Sequence, residues 1–158
     1  MSDFNAHIRE LYQEVIIDHN KCPRHCHAMT DATHQAEGFN PLCGDQITVY
    51  VKIHNNMIEN ISFEGKGCAI STASASLMTE ALLNKNIPEA KKLFEFFHDS
   101  MINKNISDIP DNNELLGKLT ALLGVREFPS RIKCATLAWH ALLAALQGQS
   151  HQSVSTEL

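Results

Sequence analysis

Apolar residues recur at helical spacing near the start of the chain. Within residues 4–19 they fall on one face of a 3.6-residue period: Ile8, Leu11, Tyr12, Val15 and Ile16. This pattern predicts an amphipathic opening helix. The polar stretch at residues 20–24 contains Pro23 and is predicted to end that helix.

The next periodic segment alternates between apolar and polar residues, as in a half-buried strand. In residues 46–53 the apolar positions are Ile47, Val49, Val51 and Ile53. Asn55-Asn56 predicts a hairpin turn, after which residues 57–64 return as an antiparallel strand. Residues 32–37 are predicted to add a further strand. The first part of the chain is therefore expected to form a small sheet.

The pattern changes to helical spacing after residue 67. Residues 71–85 are rich in Ala and Ser and predict one helix. Pro88 suits the start of another, because the first turn of a helix does not use the N–H that proline lacks. Residues 103–113 are predicted to be a polar connection, followed by a short helix at about residues 114–123.

A last helix is predicted from a Ser130 cap to about residue 147. Its apolar stripe is expected to face the core: Ile132, Ala135, Ala138, Leu142 and Leu146. Trp139 is expected in the core and His140 at the surface. Together these elements predict an α+β fold, a small antiparallel sheet packed by several helices.

Length and composition agree with one globular domain. A chain of 158 residues with 44% hydrophobic content can bury a core without disulfides. We predict a single domain at residues 1–147. The tail at residues 148–158 is polar and is predicted to be disordered.

Charge and cysteine content argue against several classes of protein. The formal charge of -5 and the lack of a basic cluster argue against nucleic-acid binding, which depends on Lys and Arg contacts to phosphates. The sequence shows no signal-peptide core and no apolar stretch long enough to cross a bilayer. A cytoplasmic protein is therefore expected. Five cysteines are an odd number, which favours reduced thiols over a disulfide framework.

Three separated cysteines and one carboxylate form the candidate site. Cys43 lies before a predicted strand, Cys68 after the hairpin and Cys134 near the start of the last helix. All three can therefore face one end of the sheet, where Asp45 lies two residues after Cys43. Three thiolates and a carboxylate can close a tetrahedral metal site.

The plainer interpretation is that small cysteines merely fill the core. The local contexts favour a site, because Gly44, Gly65 and Gly67 allow close approaches that side chains would block. A helix start near Cys134 would also favour its thiolate. The residues therefore indicate a protein that holds a metal or builds a metal cluster.

Three ordered motifs surround these cysteines. They are NPLCGD at residues 40–45, FEGKGCAIS at residues 63–71 followed by ASAS at 73–76, and FPSRIKCATL at residues 128–137. They resemble the iron-sulfur cluster assembly proteins of the IscU/NifU-N superfamily, from Leu11-Tyr12 to the helix with Trp139. The resemblance is closest to the SufU branch. Lys133 stands where the IscU type has His, and the stretch from Cys68 to Cys134 is longer than in that type.

The resemblance implies a SufE/IscU-like fold and a role in sulfur transfer. The expected partner is a PLP-dependent cysteine desulfurase of the SufS type, which itself carries the pyridoxal phosphate. Downstream cluster-assembly proteins are expected as further partners. By the same resemblance, zinc is held by four ligands: Cys43, Asp45, Cys68 and Cys134. Cys43 is expected to leave the metal and accept persulfide sulfur by thiol exchange. Arg131 is expected to assist, although an ordinary surface charge explains it equally well.

The same residues are compatible with two other functions. The same residues could carry a [2Fe-2S] cluster or iron, because cysteine thiolates are the usual cluster ligands. In that case the chain is a scaffold rather than a sulfurtransferase-like enzyme. A third alternative is a binding module with structural zinc, which a carboxylate ligand disfavours. Asp45 could also be a plain turn residue.

One segment departs from the family pattern. Cys22 and Cys26 are separated by three residues, with several histidines close by: His19, His25, His27 and His34. These residues could bind a second metal. The alternative is a polar loop with its histidines at the surface, since no distant ligand pair completes a finger-like arrangement.

Overall fold

The computed structural model describes residues 2–102, 116–147 and 152–155. Within these residues the helices are α1 (Ser2–Lys21), α2 (Ala69–Leu82), α3 (Ile87–Ile102), a 3-10 helix (Gly117–Glu127) and α4 (Pro129–Leu146). The strands are β1 (His34–Asn40), β2 (Asp45–His54), β3 (Met57–Lys66) and β4 (Gln152–Ser155). The predicted α+β fold is confirmed. The predicted polar connection lies outside the described residues.

The strands form one sheet in the order β3-β2-β1-β4. β1, β2 and β3 pair antiparallel, with Val49 opposite both Ala36 and Phe63. Asn55 and Asn56 join β2 to β3 with backbone φ angles of 52° and 64°. Positive φ at both central residues is the requirement of a type I′ hairpin turn, so the predicted turn is confirmed.

The structure differs from the predicted strands at β1 and in the tail. β1 starts at His34 and continues to Asn40, beyond the predicted residues 32–37. Four residues of the tail form β4, which pairs parallel with β1. The polar composition of residues 148–158 predicts disorder there. Both segments are poor in apolar alternation, and their strand structure comes from pairing with a neighbour.

The core lies between one face of the sheet and the helices. Val49, Ile61 and Trp139 are fully buried, and the Trp139 ring stacks on Phe97 with ring centroids 4.9 Å apart. The predicted core position of Trp139 is confirmed. His140 is only partly exposed, because its ring packs against Phe94 and His98 on α3, so the surface prediction is wrong.

The start of α4 also differs from the prediction. The N-cap residue is Phe128, which makes no side-chain capping bond, and Pro129 occupies the first helical turn. Ser130 therefore lies inside the helix and is not its cap. The fixed φ of proline starts the helix without a capping side chain. Among the described helices, none is long and apolar enough to span a membrane.

Candidate metal centre

A turn, a strand and two helices meet at one end of the sheet and supply the candidate ligands. The turn from β1 to β2 carries Cys43, and Asp45 is the first residue of β2. Cys68 is the N-cap of α2, and Cys134 lies in the second turn of α4. The structure thus brings the four predicted ligand residues to one region.

The tight turn that presents Cys43 depends on Asn40 and Gly44. The carbonyl of Asn40 accepts hydrogen bonds from the backbone N–H groups of Cys43 at 3.3 Å and Gly44 at 2.8 Å. Gly44 has a φ of +71°, a left-handed conformation that glycine adopts at little cost. The turn therefore projects Cys43 from the sheet end toward α4.

The cluster of Cys43, Asp45 and Cys134 has the spacing of a metal site. One ligand atom from each residue lies within 4.8 Å of the other two. The two sulfur atoms are 3.5 Å apart. A disulfide requires about 2.05 Å, so these are separate thiols. Two thiolates on tetrahedral zinc, with Zn–S bonds of about 2.3 Å, lie about 3.8 Å apart, close to the observed spacing.

Cys68 lies beside this cluster and is joined to it through Asp45. The Cys68 backbone N–H donates to Asp45 Oδ1 at 3.0 Å. Ser71 donates from its hydroxyl to Asp45 Oδ2 at 2.5 Å. The Cys68 sulfur itself accepts from the Ser71 backbone N–H at 3.5 Å and so caps α2. Both carboxylate oxygens are therefore held in place by the start of α2.

Burial controls the state of the Cys134 thiol. Its side chain is completely buried, and this burial raises the pKa of the thiol well above its usual value. The hydrogen bond with Cys43 and the nearby Cys68 thiol raise that pKa further. The expected preference for a thiolate at the helix start is therefore outweighed by desolvation. A bound cation would reverse this preference, because it stabilises the thiolate form.

The cysteines of the site differ in access to solvent. Cys43 is exposed, Cys68 is partly buried and Cys134 is buried. Leu42, next to Cys43, is 65% exposed, and Phe128 at the start of α4 is 55% exposed. The accessible thiol therefore adjoins the exposed apolar side chain of Leu42.

Arg131 lies in the first turn of α4, three residues before Cys134. Its side chain is exposed, and its backbone N–H donates to the carbonyl of Phe128 at 2.8 Å. This placement near the site fits both an assisting cation and an ordinary surface charge.

The segment with Cys22 and Cys26 does not form a comparable cluster. Both thiols are exposed, and His19 is 1% exposed instead of lying at the surface as predicted. His19 Nδ1 contacts Ser76 Oγ at 2.7 Å, which ties α1 to α2. Within the described parts of the chain, the group around Cys43 is the only set of three such ligands at metal-binding spacing.

Sequence reasoning missed two residues of the site. Asn40 and Ser71 are both fully buried and contact the candidate ligands. Each belongs to one of the cysteine motifs, which is the only signal that sequence offered. Their contacts cross between elements, so local patterns could not show them.

Comparison with known proteins agrees with this geometry. Residues 11–135 match the family of the NifU-like N-terminal domain. The chain is 45% identical over 139 residues to "Zinc-dependent sulfurtransferase SufU" of Bacillus subtilis (strain 168), covering 88% of this chain and 91% of that protein. It is 40% identical over 150 residues to "Iron-sulfur cluster assembly scaffold protein IscU" of Streptococcus pyogenes serotype M1, covering 95% and 91%.

A solved structure shares the fold. It is the crystal structure of a candidate iron-sulfur cluster assembly scaffold protein for the SUF system from Fervidobacterium islandicum AW-1. The TM-score is 0.77 at 32% identity, over 84% of this chain and 94% of that one. The fold and the site together define a class of protein. Its members are small α+β proteins with a cluster of thiols and a carboxylate at one end of the sheet. The chain belongs to the NifU-like N-terminal domain family, so the resemblance seen in its motifs is confirmed.

Proposed function

We propose that this protein is a zinc-dependent sulfur acceptor in iron-sulfur cluster assembly. It takes persulfide sulfur from a PLP-dependent cysteine desulfurase of the SufS type. The observation that carries the proposal is the pairing of an exposed thiol, Cys43, with a buried thiol, Cys134, at 3.5 Å. The similarity to a zinc-dependent sulfurtransferase supports it.

The donor set suits zinc. Bound zinc would keep the thiols deprotonated without redox chemistry of its own. The residues that would hold it are Cys43, Asp45, Cys68 and Cys134. Asp45 is already oriented by its hydrogen bonds from Ser71 and Cys68, which lowers the cost of arranging the site.

The transfer itself is a thiol exchange at Cys43. The Cys43 thiolate attacks the terminal sulfur of the persulfide on the desulfurase cysteine. A new S–S bond forms to Cys43 while the S–S bond of the desulfurase persulfide breaks, and the desulfurase cysteine leaves as a thiolate. The transferred sulfur keeps its proton, and no net oxidation occurs. Arg131 supplies positive charge that stabilises the departing thiolate.

The two thiols differ in exposure and therefore have different roles. Cys43 is accessible and lies in a glycine turn, so it can meet the partner's persulfide. Cys134 is enclosed and would remain a ligand of bound zinc. The five free cysteines fit a reducing compartment, and we place the reaction in the cytoplasm, where downstream assembly proteins take the sulfur.

A scaffold function is the second candidate. The chain is 40% identical to a scaffold protein over 95% of its length. The same cysteines would then carry a [2Fe-2S] cluster or iron as cargo, since thiolates are the usual cluster ligands.

One experiment separates the two candidates. Cysteine turnover by the cognate desulfurase is measured with and without one equivalent of this protein, either zinc-loaded or metal-stripped. The acceptor function predicts strong acceleration by the zinc form only, with persulfide found on Cys43 by peptide mass spectrometry. Cys43→Ser should abolish this acceleration, and Cys22→Ser, which removes an exposed thiol outside the site, should not.

The contrary result is equally specific. If the zinc form gives no acceleration, but the stripped form supplied with iron and sulfide gains a labile cluster, the protein is a scaffold.

A further inference from the structure

Asn40 is a buried polar residue whose side chain contacts Cys134 and whose backbone supports the turn that carries Cys43. It ends β1, its side chain is completely buried, and its Nδ2 donates to Cys134 Sγ at 3.8 Å. Its Oδ1 accepts from the Leu42 N–H at 3.2 Å. Its backbone carbonyl closes the turn that carries Cys43.

We propose that Asn40 is a positioning residue that makes Cys43, rather than Cys134, the reactive thiol. Its amide N–H stabilises Cys134 as a fixed ligand, while its oxygens shape the turn that presents Cys43. This inference deepens the proposed function and rests on it for the choice of sulfur acceptor.

The orientation of the amide follows from its partners. The Leu42 backbone N–H can only donate, so it must face the carbonyl oxygen of the Asn40 side chain. The NH₂ group is then turned toward Cys134. A hydrogen-bond donor therefore faces the buried sulfur, where it complements a thiolate.

The chemical consequence differs between the two sulfurs. A donor N–H spreads the negative charge of a thiolate, and the bond strengthens when its acceptor is ionised. A thiolate stabilised in this way is a weaker nucleophile. Cys43 is exposed and lies outside this amide contact, so it keeps its reactivity. The amide therefore biases exchange toward Cys43.

Two variants remove the amide donor that faces Cys134 while keeping an oxygen that can accept from the Leu42 N–H. Asn40→Asp keeps the size and the oxygen that accepts from Leu42, but it replaces the donor with an anionic oxygen facing Cys134. Asn40→Ser is neutral, and its short hydroxyl can still accept from the Leu42 N–H but cannot reach Cys134. Asn60→Asp is the matched control, because Asn60 is exposed and its Oδ1 accepts from the Ile61 N–H at 3.0 Å without a thiol contact.

The test uses zinc-loaded full-length protein and iodoacetamide as the probe. Alkylation rates of Cys43 and Cys134 are followed by peptide mass spectrometry, and zinc affinity is measured by competition with a chelator. In the unaltered protein Cys43 should react and Cys134 should stay protected. For Asn40→Asp and Asn40→Ser we expect the ratio of rates to shift toward Cys134 by about tenfold and zinc affinity to fall by a similar factor, the order expected for a lost hydrogen bond to a charged group.

The outcomes are distinct. Unchanged ratios and zinc affinity in both Asn40 variants would overturn the inference, and so would equal shifts in Asn60→Asp. If Asn40→Asp does not fold, Asn40→Ser decides alone. If the ratio shifts as expected but the unaltered protein takes no persulfide from the desulfurase, the positioning role of Asn40 stands and the proposed function fails.

Discussion

The sulfur atoms of Cys43 and Cys134 are 3.5 Å apart although the residues are 91 positions apart in the chain. One belongs to the turn after β1 and the other to α4. Their spacing therefore depends on how closely α4 packs on β1. Gly38 lies at that contact, where a Cβ would meet Leu137 Cδ1 at 2.9 Å and the Leu137 carbonyl oxygen at 3.2 Å.

Gly38→Ala should move α4 away from β1. Because Leu137 is fully buried, the added methyl group cannot be accommodated freely, and we expect the free energy of unfolding to fall by about 1–3 kcal/mol. Zinc affinity should fall as well, since the sulfur atoms separate. Chemical denaturation and chelator competition measure the two effects. Gly124→Ala is the control, because nothing lies within 4 Å of its Cβ position; an equal loss there would exclude a packing effect.

Ser71→Ala should leave the Asp45 carboxylate less firmly positioned as a metal ligand. The hydroxyl of Ser71 holds one carboxylate oxygen, and loss of such a supporting bond typically lowers metal affinity by about 10–100-fold. Chelator competition with zinc measures the change. Ser74→Ala is the matched control, since Ser74 is also buried on α2 but donates to the Ala135 carbonyl. It should cost stability and leave zinc affinity unchanged; an equal loss of affinity would mean that any damage to α2 suffices.

Zinc binding should release a proton from Cys134. Burial raises the pKa of this thiol, so the neutral form predominates in the metal-free protein near neutral pH. The metal binds the thiolate, so affinity should increase with pH. Calorimetric titration in buffers of different ionisation enthalpy counts the protons. The count should fall in Cys134→Ser relative to the unaltered protein, and an unchanged count would assign the proton to another group.

Stability should fall as the solution is acidified. Burial lowers the pKa of His19 below its ordinary value of 6.5, and burial also lowers that of His140. The unfolded chain then binds more protons than the folded one below that value. Stabilisation is therefore complete above pH 6.5 and is lost as the pH drops through the folded pKa values.

His19→Gln tests the contribution of one of these residues. We expect a shallower loss of unfolding free energy between about pH 7 and pH 5, measured by urea denaturation. His54→Gln, at an exposed position, is the control and should keep the original slope. A slope unchanged by His19→Gln would contradict the assignment.

Leu42→Ser should weaken the acceleration of the desulfurase by this protein. Leu42 is 65% exposed beside Cys43, where a partner that reaches this thiol must contact it. We expect a higher concentration of this protein to be needed for half-maximal acceleration, with zinc affinity and stability unchanged. Met57→Ser is the control, because Met57 is 38% exposed and starts β3, at the end of that strand away from Cys68. Equal effects of both changes would exclude docking at Leu42.

Local patterns predicted much of the fold. The alternation from Ile47 to Ile53 predicted β2, and Asn55-Asn56 predicted the turn that follows. Both depend on short-range sterics, which neighbouring residues encode. The cysteine motifs identified the four residues that gather at the sheet end.

Other features depend on partners that are distant in the chain. The full length of β1 and the strand β4 arise from pairing between segments that lack apolar alternation. His19 is polar, yet α2 buries it and supplies Ser76 as its partner. No local period encodes such burial, because desolvation depends on which elements pack together.

The sequence by itself determined the strands and turn of the central hairpin, the family and the identity of the candidate ligands. Only the tertiary structure decided that Cys134 is enclosed, that Cys43 is exposed, and that Asn40 and Ser71 hold the site. The physical reason is that secondary structure follows local backbone preferences, whereas burial and hydrogen bonding between distant residues arise when the helices pack on the sheet.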